Sequence, residues 1–230
     1  MLNERLRKKL ALAHRILHME GLAEDASRGH ITARSEDGRI YIKPWGIGFE
    51  DVEARDFQGL DIEKNLLEGK GRVHSEVILH LEIYRKRPEV CSIAHVHPYY
   101  SILLSSVFRG RVHILNWHGV RFFEKIPFYR SAELIQSKTQ GENLAQTLGE
   151  EPLVLMKNHG ITAVGKTIEE AVIVSLSFEK AAKEHLLATT FGKPKGMPVA
   201  VAKKLSAHSY SQSQYEMLWN YYCKKFSRRE

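Results

Sequence analysis

The 230-residue chain has only two cysteines, Cys91 and Cys223, far apart in sequence. Neither has a second cysteine at metal-ligand spacing, which argues against a disulfide framework and against a thiolate-bound metal. Long apolar runs are missing too: none approaches the roughly 18 residues of a membrane span. The opening Met-Leu-Asn-Glu-Arg-Leu-Arg-Lys-Lys-Leu is too charged for a signal peptide. The expected location is cytoplasmic, without a membrane partner. No internal repeat is found. The formal charge is +7, yet the basic residues are scattered apart from modest clusters at Arg5 to Lys9 and Lys224 to Arg229. Such a distribution predicts no nucleic-acid partner and weakly favours a small anionic substrate. What remains, 43% hydrophobic and 27% charged, is an ordinary globular composition. One domain over 1–230 is expected, with 199–230 as a helical C-terminal tail.

The chain is organised around Cys91-Ser92-Ile93-Ala94-His95-Val96-His97-Pro98. Side chains alternate along a strand, so His95 and His97 face the same way and can grip one cation from a single strand end. Pro98 holds the preceding residue extended and suits the first position of a helix, which places His97 at a strand-to-helix corner. A metal needs a further ligand, and the sequence offers candidates on both sides, His74-Ser75-Glu76 and Asn158-His159-Gly160.

The apolar spacing of Leu6, Leu10, Ala13 and Leu17 predicts a helix from Leu2 to about Glu20. Ser27 to Arg34 and Arg39 to Lys43 flank an Asp37-Gly38 turn and read as a hairpin. Pro44-Trp45-Gly46-Ile47-Gly48 follows as a glycine-rich loop, and Phe49 to Gly71 gives no clear pattern. Ser75 is the expected N-cap of a helix running to about Lys86, with Glu76 in its first turn. Cys91 is expected inside a buried strand. A helix follows Pro98 to about Phe108, Val112 to Leu115 reads as extended, and Asn116 to Gly119 reads as a polar turn. A strand near Lys125 to Phe128 and a helix from Ser131 to Leu148 come next. Two strands then flank Asn158-His159-Gly160, and Thr167 opens a capping box, Thr167-Ile168-Glu169-Glu170, for a helix to about Thr190. Gly192 to Gly196 is the one linker-like stretch. The two aromatic-rich helical patterns from Val199 to Arg229 suit either a neighbouring subunit or the chain's own surface.

The ordered series Gly29-His30-Ile31-Thr32, Lys43-Pro44-Trp45-Gly46, Ser75-Glu76, His95-x-His97 and Asn158-His159-Gly160 resembles the class II aldolase/adducin-head family over about residues 1 to 205. The resemblance implies an α/β/α sandwich around a mostly antiparallel central sheet, assembled as a homo-oligomer, typically a tetramer with active sites at subunit interfaces. It implies one divalent metal ion per subunit held by His95, His97 and His159, with Glu76 beside it as acid/base. Three imidazoles and an open position make a Lewis-acid site, and zinc is favoured ahead of iron, manganese or cobalt. An adducin-like module without chemistry fits poorly, because the ligand set is complete.

The departures bear on the reaction. Where the family's sugar-phosphate aldolases hold phosphate, this chain carries His30, Trp45, His74 and Ser75, so that only Gly46 and Ser75 keep the phosphate-binding type. The aldolases' interface tyrosine aligns near Trp117, and His118 is the candidate to replace it. Gly29-His30 and His74-Ser75-Glu76 resemble the family's decarboxylase branch, which acts on hydroxy-aromatic or oxo acids. The resulting expectation is a carbon–carbon lyase, a decarboxylase ahead of an aldolase or epimerase. Glu76 and His118 are its catalytic candidates; Gly29, His30, Lys43, Trp45, Gly46, His74 and Ser75 are its substrate-binding ones.

Overall fold

The computed structural model describes residues 2–24 and 28–228; Ser27 and Arg229, at the edges of two expected segments, lie outside it. Helix α1 (Leu2–Met19) leads into strands β1 (His30–Arg34) and β2 (Ile40–Ile42), then two short strands, β3 (Gln58–Leu60) and β4 (Leu66–Glu68). Helix α2 (Val77–Lys86), strand β5 (Ser92–Val96) and helix α3 (Tyr99–Val107) follow. A 3-10 helix over Trp117–Phe122, strand β6 (Phe128–Tyr129) and helix α4 (Lys138–Leu148) precede strands β7 (Leu153–Met156) and β8 (Gly160–Gly165). Helices α5 (Ile168–Thr190), α6 (Val199–Ser209) and α7 (Gln212–Ser227) complete the described chain.

The eight strands form one sheet in the order β4-β3-β2-β1-β5-β8-β7-β6. Every pairing is antiparallel except β6 with β7, so the mostly antiparallel sheet is borne out. Strand alternation sorts its side chains onto two faces. Ile31, Ala33, Tyr41, Ala94, Val96, Ile161 and Ala163 belong to the core that α1 and α5 cover. Ile40, Ile42, Ile93, Val154, Met156 and Val164 belong to a second core with Val77, Leu81 and Tyr84 of α2 and Leu144 and Leu148 of α4. Each buried aliphatic side chain contributes about 1.5–3 kcal/mol. Helices therefore lie on both faces, as in the expected α/β/α sandwich.

Several expectations are corrected. Helix α2 starts after Glu76, not Ser75, and no side chain caps it. Residues 131–137 are irregular and α4 begins only at Lys138, because Ser137 and Gln140 form the capping box that starts it. Cys91 lies just before β5 and is exposed. Pro98 is the N-cap of α3, not its first residue. Residues 112–115 form no strand, and the turn after Asn116 is a 3-10 helix capped by the Asn116 side chain. Thr167 does accept the amide of Glu170, but the Glu170 carboxylate takes the amide of Lys166, so the expected box is only half made. In the tail, Tyr215, Trp219 and Tyr222 are buried in the core of the chain itself, while Tyr221 stays exposed.

Candidate metal centre and active site

The first pair of candidate ligands rests on the centre of the sheet. In β5, His95 lies opposite His30 of β1 on one side and Thr162 of β8 on the other, so all three side chains share the α2-facing surface. Nδ1 of His95 is 3.2 Å from the Ile161 carbonyl and 3.0 Å from the Thr162 hydroxyl. A carbonyl only accepts, so Nδ1 carries the proton and Nε2 is left with its lone pair. Nε2 of His97 approaches that atom to 3.1 Å.

His159 comes from the β7–β8 turn, where Asn158 adopts φ 51°. Its amide neighbour, that of Asn158, is held by the Ser105 hydroxyl of α3 at 2.8 Å. Gly160, at φ 156°, is required: a Cβ there would lie 2.3 Å from the Val96 carbonyl and 3.0 Å from the His97 ring. Gly29 plays the same part beneath His95, at φ 66° with a Cβ position 3.0 Å from the His95 carbonyl.

One nitrogen from each of His95, His97 and His159 falls within 4.8 Å of the others. Among the described residues, neither buried ring nitrogen of His159 has a hydrogen-bond partner. Buried polar atoms are normally satisfied, and three convergent imidazoles with one orphaned ring fit a divalent cation. Two nitrogens bound tetrahedrally to one ion at the usual bond length would stand about 3.3 Å apart, close to the His95–His97 spacing.

Glu76 projects from the start of α2 and is buried. Its Oε1 accepts the amide of Ile135 at 2.9 Å, and Oε2 lies 3.7 Å from Nε2 of His159 and 4.0 Å from that of His95. Burial pushes its acidity down, but the His159 imidazole, the Ile135 amide and His97 outweigh that and hold the pKa below its ordinary value. His95 is held neutral by burial first, then by the neighbouring imidazoles of His97 and His159, which would repel a second positive charge.

His30 and His74 pack edge to face at 4.1 Å between ring centres, and His30 lies 5.3 Å from His95. Burial holds both below the ordinary imidazole value, His74 at about 4, with the charge of Lys43 acting in the same direction on each. Lys43 is wholly buried and donates to the Ile47 carbonyl at 2.8 Å. A buried ammonium beside neutral imidazoles favours an anionic ligand.

The structure thus brings together His30, His74, Glu76, His95, His97 and His159, with Lys43 close enough for its charge to be felt. Ser75 occupies the turn between His74 and Glu76. Trp45 and Gly46 are exposed, with the Arg72 guanidinium 5.1 Å above the Trp45 ring. His118 stands apart: its partners are Glu184, at 3.0 Å from Nδ1, Asn116 and Tyr210, none of them in the cluster. Sequence reasoning missed His80, whose Nε2 is 2.8 Å from Nδ1 of His30. Its signal was available, since Glu76, His80 and Tyr84 recur every four residues along one helix face.

A sequence model of the family described as Class II Aldolase and Adducin N-terminal domain matches residues 8–186. A 3,4-dihydroxyphthalate decarboxylase of Arthrobacter keyseri is 29% identical over 198 residues, 81% of this chain and 79% of its own. An L-fuculose phosphate aldolase of Methanocaldococcus jannaschii is 31% identical over 161 residues, 70% of this chain and 85% of its own. The crystal structure of an aldolase II superfamily protein from Pseudomonas syringae superposes with a TM-score of 0.89 over 99% of this chain and 94% of that one, at 20% identity.

Proposed function

Because the chain belongs to the class II aldolase and adducin N-terminal family, we propose that it is a metal-dependent carbon–carbon lyase that decarboxylates a hydroxy-aromatic or oxo acid. The observation that carries the choice of reaction is the buried His30–His74 ring pair. It occupies positions where the family's sugar-phosphate aldolases place phosphate-binding amide and hydroxyl groups, and it lies near the Lys43 ammonium. Neutral imidazoles and one buried cation suit a planar carboxylate better than a phosphate dianion, which asks for several converging donors. The similarity to a dihydroxyphthalate decarboxylase supports the same reading.

His95, His97 and His159 would hold the ion, zinc ahead of iron, manganese or cobalt. Bound there, a divalent ion supplies Lewis-acid stabilisation for negative charge on two neighbouring substrate oxygens. Glu76, a carboxylate in the resting site, takes the proton of a substrate hydroxyl on Oε2, while Oε1 stays tied to Ile135. When the bond to the carboxyl group breaks, its electron pair stays on the ring or chain carbon and carbon dioxide leaves. Glu76 then returns its proton to that carbon. Lys43, His30 and His74 hold the anionic end of the substrate, Trp45 walls the entrance, and Gly29, Gly46 and Ser75 shape the backbone around it. The protein acts in the cytoplasm as a single-domain subunit of a homotetramer, in which His118 and its Glu184 partner serve the site of a neighbouring subunit.

The 31% identity to an L-fuculose phosphate aldolase favours a second reading, aldol cleavage or epimerisation of a sugar phosphate. The experiment that separates them supplies zinc-loaded protein with a panel of dihydroxybenzoates, dihydroxyphthalates and oxo acids, and in parallel with ketose and aldose phosphates. Release of carbon dioxide from an acid, lost on chelation, is expected. Aldehyde release from a sugar phosphate with no turnover of any acid would replace the proposal.

A further inference from the structure

His30 leans on a chain of buried polar groups that the reaction above does not use. Its Nδ1 lies 2.8 Å from Nε2 of His80, whose Nδ1 lies 2.7 Å from the Thr32 hydroxyl, which in turn lies 2.8 Å from the Tyr84 phenol. All four side chains are buried. His30 and Thr32 stand two apart on one face of β1, and His80 and Tyr84 stand one turn apart on α2, so the chain runs along the seam between sheet and helix.

The far end of the chain sets its direction. Tyr84 has two acceptors, the Thr32 hydroxyl and, at 3.5 Å, the Cys91 carbonyl, which already takes the Arg34 amide at 2.8 Å. The short contact takes the phenol proton. Thr32 then gives its own proton to Nδ1 of His80. That leaves the His80 proton on Nε2, where it is donated to Nδ1 of His30. The one remaining proton of a neutral His30 sits on Nε2, an atom that is sealed from solvent and has no partner among the described residues. The ring that carries it is flanked by His74 and by the metal-ligand candidate His95. A buried donor without an acceptor is unfavourable, and at the edge of a ligand site the ligand is what supplies the acceptor.

We propose that His80, Thr32 and Tyr84 are positioning residues that lock His30 as the Nε2–H tautomer, making it a hydrogen-bond donor to an anionic substrate oxygen and neither a base nor a fourth metal ligand. The tautomer rests on the hydrogen bonds alone; the identity of the oxygen, a carboxylate, rests on the decarboxylase reading. Thr32→Val removes the one group that both receives from Tyr84 and gives to His80, whereas Thr32→Ser keeps it.

The test is two-bond proton–nitrogen correlation NMR on zinc-loaded, full-length protein with 15N-labelled histidine, the signals assigned with His30→Gln and His80→Gln. The expected result is Nε2–H for both His30 and His80, a mixed tautomer for both in Thr32→Val, and recovery in Thr32→Ser. On an accepted acid, Thr32→Val lowers kcat roughly ten- to hundredfold with zinc content unchanged, and Thr32→Ser restores it. A wild-type His30 carrying its proton on Nδ1, or a Thr32→Val variant with unchanged tautomers and kcat, would overturn the lock. The tautomer pattern is read without turnover, so finding it in a protein that decarboxylates nothing would sustain the lock while removing the decarboxylase reading.

Discussion

His14 and His30 are equally cut off from water, and they differ in what their nitrogens find. His14, in α1 on the far side of the sheet, has Nδ1 2.8 Å from the Leu10 carbonyl and accepts the Ile31 amide on Nε2 at 3.2 Å. Packed against Phe49 and Phe57, it staples α1 to β1 and has no bonding capacity left. His30 spends one nitrogen on His80 and keeps the other unmatched, as His159 keeps both. Two buried carboxylates repeat the contrast. Glu179 receives the Tyr100 and Ser101 amides and the Ser101 hydroxyl at the start of α3, so both of its oxygens are taken. Glu76 ties one oxygen to Ile135 and turns the other toward the histidines. Burial of a polar side chain does not by itself mark a site; unmet bonding capacity, clustered, does.

Four substitutions test that contrast, and the largest effect belongs to the orphaned ring. His159→Ala should remove zinc, measured as metal per subunit after dialysis, and lower turnover by about a thousandfold or more. A variant that keeps its stoichiometric metal would take His159 out of the ligand set. Glu76→Gln should keep the metal and cost on the order of 10²- to 10⁴-fold in kcat; an unaffected rate would exclude it as the proton carrier. For Gly160→Ala, the Cβ forced against the Val96 carbonyl should lower stability by roughly 2 kcal/mol or more in urea and weaken zinc binding with it. His14→Leu should have the smallest effect on function. It costs about 1–3 kcal/mol, because the Ile31 amide loses its acceptor, while zinc content and kcat stay as they were.

The same variant carries a pH signature. Burial pulls the His14 pKa from 6.5 down to about 3, against the backbone hydrogen bond that raises it. Between those values the unfolded chain binds a proton that the folded chain refuses, so stability falls as pH falls from 6.5 toward 3. Urea midpoints of His14→Leu over that range should drop less steeply than those of the unsubstituted protein; parallel slopes would mean that His14 does not titrate as its surroundings dictate.

Much of the site was legible because its geometry is local. His95-x-His97 sits on a strand whose alternation fixes both side chains, and Asn158-His159-Gly160 is a turn signal between two apolar runs; β1, β2, β5, β7 and β8 follow from the same patterns. What escaped depends on contacts distant in sequence. His80 sits between Leu79 and Leu81 and looks like filler in an apolar helix until His30, fifty residues away in sequence, meets its Nε2. The stretch before Ser137 reads as helix in sequence, yet staying open is what lets Ile135 present its amide to Glu76. Lys43 is named by its motif as a substrate-binding candidate, but its complete burial depends on packing that no local pattern reveals. Strands β3 and β4 lie in the stretch from Phe49 to Gly71 that shows no clear alternation, and they exist because the sheet edge pairs them.

Under the proposed function, the histidine cluster, loaded with a divalent ion, receives an organic carboxylate in preference to a sugar phosphate. Calorimetric titration of the zinc-loaded protein, side by side with a catechol carboxylate and with a phosphorylated enediolate mimic of similar size, decides between the two. The catechol acid is expected to bind more tightly, and chelation to abolish its binding. Tight binding of the phosphate compound, with the acid ignored, would contradict the proposed function.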